Sequence, residues 1–95
     1  MSILSEFKEM MQAGTVVDVT NHYITREDHP CFGTNRRTVS HANSSSWHYW
    51  DSRAGRDHCL KWPKGSQICK SGDAFLIYGH PKPGDLFMTI RREEQ

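Results

Sequence analysis

The sequence has no apolar stretch approaching the roughly 20 residues that a membrane-spanning helix needs. Its N-terminus, Met-Ser-Ile-Leu-Ser-Glu-Phe-Lys-Glu, lacks the basic segment and apolar run of a secretory signal. The chain is therefore expected in the cytoplasm. It also lacks an excess of either charge: 12 Lys and Arg against 11 Asp and Glu leave a net charge of +1. No global field would draw it to DNA or to an acidic membrane. The three cysteines, Cys31, Cys59 and Cys69, are odd in number and include no CxxC pair. They do not read as a disulfide framework. No glycine-rich phosphate loop is present, because the glycines are scattered as turn residues. Glu27-Asp28 and Glu93-Glu94 fall in a loop and a tail, where they make no acid–base pair. The chain is thus read as a non-enzymatic protein with no cofactor.

What is present fits one domain over residues 1–95. The mean hydropathy of −0.73 is polar, yet 11% of the residues are aromatic, enough to offset the entropy of ordering a chain. Residues 2–13 carry Ile3, Leu4, Phe7, Met10 and Met11 at spacings of three and four, a helical stripe. Ser2 caps its start, and Gly14 supplies the left-handed stop.

After Gly14 the period changes to two. Residues 15–24 read as a strand with Val17, Val19 and Tyr23 on one face and Asp18, Thr20 and His22 on the other. Further strands are expected at 36–43, with Val39 inward, at 47–50, at 59–62, at 74–78 and at 86–92. In the last, Leu86, Met88 and Ile90 alternate with Phe87 and Thr89. Residues 51–57 read as an exposed loop, and 66–70 as a turn of helix or a bridging strand. Five to six short strands behind one helix suggest a mainly β (α+β) fold. The preferred architecture is a small antiparallel SH3-like barrel, because closure removes exposed edges. An OB-like barrel or a plain curved sheet is the alternative.

Three segments carry a resemblance: Val17-Asp18-Val19-Thr20-Asn21-His22-Tyr23-Ile24, Gly33-Thr34-Asn35-Arg36-Arg37-Thr38-Val39 and Lys61-Trp62-Pro63-Lys64-Gly65-Ser66-Gln67-Ile68. In order and spacing they resemble small uncharacterised proteins of actinobacteria and their phages. The resemblance covers roughly residues 15–78 and implies no activity and no functional residue. It does imply a phage accessory protein acting on a host component.

Several side chains have the chemistry for a site. His22, His29, Cys31, His58 and Cys59 are zinc-ligand types. Only His29-Pro30-Cys31 has the tight spacing of a ligand pair, and the adjacent His58 and Cys59 would point to opposite faces of a strand. No metal site is therefore assigned. Cys–His nucleophilic catalysis lacks any spacing that would position a base, and Cys69, between Ile68 and Lys70, reads as a packing residue.

Binding chemistry is better represented. Trp47, Tyr49 and Trp50 lie close to His48 and Arg53, with Arg36, Arg37, Lys61, Lys64 and Lys70 on neighbouring segments. Small barrels bind single-stranded nucleic acid by stacking bases on aromatics in a basic groove, and Arg37, His41, His48 and Trp50 would form such a platform on one outer face. The competing reading puts Trp47, Tyr49 and Trp62 in the core. Trp, Tyr, Arg and Met are also enriched at protein interfaces, and three tryptophans fall between positions 47 and 62. The preferred expectation is a protein-binding module, monomeric or homodimeric, using Arg37, His48, Trp50, Arg53, Lys61 and Lys64. Single-stranded nucleic-acid binding is the alternative.

Overall fold

A single short helix begins the chain in the computed structural model, which describes residues 2–29, 31–42, 46–51, 55–61 and 65–93. The helix, α1, spans Ile3–Met10. The Ser2 side chain accepts a hydrogen bond from the Ser5 backbone N–H at 3.1 Å, as expected of an N-cap. The apolar stripe turns Phe7 inward, where its ring meets that of Phe75 edge-on at 5.3 Å between centroids. Met11, just past the helix, is also fully buried. Gly14 adopts φ +91°, and its N–H donates to the Val39 carbonyl at 2.8 Å, which starts the first strand pairing.

Seven strands follow: β1 Val16–Asn21, β2 Gly33–Ala42, β3 Ser46–Asp51, β4 Arg56–Lys61, β5 Gln67–Ser71, β6 Ala74–Tyr78 and β7 Leu86–Arg92. They form one sheet in the order β4-β3-β2-β1-β7-β6-β5, with antiparallel pairing at each junction. Two meanders, β1–β4 and β5–β7, are thus joined through the β1–β7 pair. The edges are β4 and β5, which are consecutive in the chain.

One face of this sheet holds the core. Val19 on β1 aligns with Ile90 on β7, Ile90 and Met88 align with Phe75 and Ile77 on β6, and Val17 joins the same cluster. Val39 on β2 and Trp47 on β3 extend the same cluster. Seven strands laid flat would span about 29 Å at their usual separation of about 4.8 Å. An eight-residue helix is only about 12 Å long and cannot cover that width. The sheet therefore curls on itself, and Leu60 on one edge strand and Ile68 on the other pack against a common cluster.

The curl stops short of the expected SH3-like barrel: the sheet is open, and it has seven strands where five or six were expected. The physical reason lies in the edges. Leu60 on β4 and Ile68 on β5 are partly buried, but most of their strand neighbours are exposed and polar. A closed seam would have to bury more apolar surface than these strands carry. The seventh strand is residues 67–71, which form a full strand, and β4 starts at Arg56, within the segment expected to be a loop. Its Arg56 and Asp57 pair with Asp51 and Trp50 of β3.

Two irregularities redirect side chains. In β2 the register with β3 slips by one residue between Val39 and His41, so Val39 points inward while His41 pairs with His48 on the outer face. In β6–β7 the register slips at Ile77/Tyr78. Phe87, expected opposite the core residues, is buried and stacks on Tyr23 at 4.4 Å. Tyr23 itself lies beyond the end of β1, so it does not continue the Val17–Val19 face within the strand. Cys69 is a further correction: Ile68 takes the inward position on β5, and Cys69 is exposed.

Candidate functional site

The sheet separates the expected site residues into two groups. On the inner face, Arg37 on β2 lies opposite Val17, and the guanidinium carbon sits 5.0 Å from the centroid of the Tyr49 ring. Tyr49 in turn contacts Trp47 at 5.1 Å and stacks with His58 at 5.6 Å. His58 Nε2 lies 2.9 Å from Asp51 Oδ2, within ion-pair range. Arg37 also approaches Cys31 Sγ at 3.8 Å. The Cys31 carbonyl accepts from the side-chain amides of Asn21 at 2.9 Å and Asn35 at 3.0 Å, which pins this loop over the inner face. The result is a cavity of about 60 Å³ whose walls include Asn21, Tyr23, Cys31, Arg37, Trp47 and Tyr49.

Electrostatics in this pocket favour neutral phenols. Burial pushes the Tyr23 hydroxyl up from its ordinary value, and the neighbouring Cys31 and Tyr49 act in the same direction. Burial also raises Tyr49, partly opposed by the cationic Arg37. Both therefore remain hydroxyl donors at neutral pH. The Trp47 indole N–H is buried and has no hydrogen-bond partner among the described residues.

On the outer face, Trp50 is 49% exposed. Beside it on β3, His48 stacks on His41 with 3.9 Å between ring centroids. Ser40 donates to Asp57 Oδ1 at 2.7 Å, and exposed Cys59 and Lys61 complete the β4 contribution. Further across the sheet the charges alternate. Asp18 aligns with Arg36 on one side and Arg91 on the other. Arg36 pairs with Glu93, and Arg91 with Asp73.

The proposed platform of Arg37, His41, His48 and Trp50 is thus divided. His41, His48 and Trp50 share the outer face, whereas Arg37 lies on the inner one. The sequence held a signal for this: Arg37 has the same parity as Val39, the residue already read as inward. Lys61 is on the outer face with Trp50. Arg53 and Lys64 lie outside the described residues, as does Trp62. Of the two remaining core aromatics, Trp47 is fully buried, while Tyr49 is partly buried at the pocket wall.

The zinc-ligand types do not converge. His58 faces inward and Cys59 outward, as adjacent strand residues must. His29 Nδ1 accepts the Cys31 backbone N–H at 3.0 Å, which occupies that ring lone pair. Among the described residues no three His, Cys, Asp or Glu side chains gather around a common point. The residue that sequence reasoning missed is Asn35, whose amide holds the Cys31 loop. Nothing in its local pattern distinguishes it from a surface strand residue.

No family model, curated protein or solved structure matches this chain. Among the described residues no helix is long and apolar enough to cross a membrane.

Proposed function

We propose that this chain is a non-enzymatic protein-binding module whose contact surface is the outer face of β3 and β4. The observation that carries the reading is Trp50, a tryptophan half exposed on β3, which neighbours the edge strand β4. A tryptophan left in water forgoes the burial that favours its place in a core, and tryptophan is the residue most enriched among interface hot spots. His48 and His41 extend the aromatic surface, and Lys61 borders it. The outer edge of β4, which pairs with no further strand among the described residues, adds backbone donors and acceptors that a partner strand can use.

The neighbouring charges favour a protein over a polyanion. Arg36 and Arg91 are matched by Glu93 and Asp73, and Asp57 lies directly opposite Trp50. A nucleic-acid surface would present unmatched cations along its track. The resemblance to actinobacterial and phage proteins makes a bacterial host protein the first partner to seek.

The test compares wild-type protein with Trp50→Ala in pull-downs from bacterial lysate, with and without nuclease. A discrete protein retained by the wild type after nuclease, and lost with Trp50→Ala, supports the reading. Retention that vanishes with nuclease and falls steeply with salt would replace it with single-stranded nucleic-acid binding.

A further inference from the structure

The inner pocket beside Arg37 has a chemistry separate from the outer face, and it is rich in donors. Arg37, Trp47, Tyr23 and Tyr49, whose side chains can all donate hydrogen bonds, are among its lining residues, and among the described residues no Asp or Glu lines it. Arg37 forms no ion pair among the described residues. It contacts the Tyr49 ring, the Cys31 sulfur and the Arg36 carbonyl at 3.3 Å and hydrogen-bonds the Tyr49 side chain, and none of these is a carboxylate. A half-buried cation without a counter-ion and a buried indole N–H without an acceptor are both unfavourable. Native proteins seldom leave such groups unsatisfied side by side.

We propose that this pocket binds a single carboxylate group, held by Arg37 with Trp47 and the tyrosine hydroxyls as further donors. One anion satisfies all of these groups together. The planar guanidinium fork matches a planar carboxylate through paired charge-assisted hydrogen bonds. The cavity of about 60 Å³ has room for a group of that size, comparable to two waters at about 30 Å³ each in the liquid. Among the described residues the wall holds one cation, Arg37, which balances a monoanion and leaves a phosphate dianion undercompensated. Val19 and Leu60 supply apolar surface for the carbon to which the carboxylate is attached. Exposed Tyr23 and half-buried Cys31 and Arg37 bring the pocket to solvent on one side.

The test is an NMR titration of ¹⁵N-labelled protein with sodium formate at constant ionic strength, following the tryptophan indole resonances. The Trp47 signal is assigned by its loss in Trp47→Phe. The expected result is a saturable shift of that indole, weakened about tenfold or more in Arg37→Gln, as befits loss of a charge-assisted pair. Linear shifts spread over the whole wild-type spectrum would overturn the proposal, whether or not Arg37→Gln folds. So would tighter binding of inorganic phosphate than of formate. N-acetyl-glutamate amide binding more tightly than formate would identify the source as an acidic side chain of a protein. The reverse order would identify a free small acid. Both orders support the carboxylate assignment.

Discussion

Replacing two tryptophans three positions apart on β3 should give very different losses of stability. Trp47 is 1% exposed and Trp50 49% exposed. Burying a whole aromatic side chain removes about 150–250 Å² from water. At about 25 cal/mol per Å² that is worth roughly 4–6 kcal/mol as an upper bound, in line with the measured cost of about 3–5 kcal/mol for a buried Phe or Trp replaced by Ala. Trp50 keeps about half its surface in water, so its loss should cost about 2 kcal/mol on the same scale. A domain of 95 residues has roughly 5–14 kcal/mol of total stability. Trp50→Ala should therefore remain folded, with a Tm lower by about 8–16 °C. Trp47→Ala should be severely destabilised and lose its cooperative transition or much of its Tm. Thermal unfolding followed by circular dichroism reads both. Equal losses would refute the assignment of inner and outer faces on β3, and with it the use of Trp50 as a contact residue.

Two more outcomes follow from side-chain position. Iodoacetamide should label exposed Cys59 and Cys69 before half-buried Cys31, as peptide mapping over time would reveal; early labelling of Cys31 would mean that its loop does not cover the inner face as described. Burial raises the Tyr23 and Tyr49 hydroxyls above 10.0, so the folded protein holds these protons after the unfolded chain has released them. Their contribution to stability is full below pH 10 and falls as pH rises through the folded values. Phenolate absorbance at high pH should appear late for these two groups, and Tyr49→Phe should remove part of that late rise. Titration of all tyrosines at their ordinary value would contradict the pocket environment.

Local pattern was sufficient wherever a segment had a clear period and punctuation. Residues 74–78 and 86–92 were apolar runs bounded by turn residues, and they form strands over those same spans, although buried Phe87 breaks the alternation expected in the second. Ser2 and the stripe through Phe7 announced α1, although the helix ends at Met10 and the residues up to Gly14 turn toward β1. Arg56–Asp57 and Gln67–Ser71 were harder, because edge strands carry few inward apolar residues and look like loops. Their strand character comes from pairing with β3 and β6.

The site was legible only in part. Residue types around Trp47–Lys61 indicated a surface with aromatic and basic character, but Arg37 was placed on the outer platform although it shares the parity of inward Val39. The slip between Val39 and His41 fixed which face His41 and His48 share, and such a slip leaves no mark in the period because it depends on the partner strand. The pocket beside Arg37 draws on β1, β2, β3, β4 and the loop carrying Cys31, segments up to about 40 positions apart in the chain.

A mainly β chain with one N-terminal helix and almost no net charge could be read from local order alone, because period, turn residues and composition are local properties. That the sheet stays open, that Trp47 is buried while Trp50 is exposed, and that Arg37 faces the inner pocket came from the packed fold. Each of these depends on register and on which strands become neighbours, and those are set by packing between residues distant in the chain.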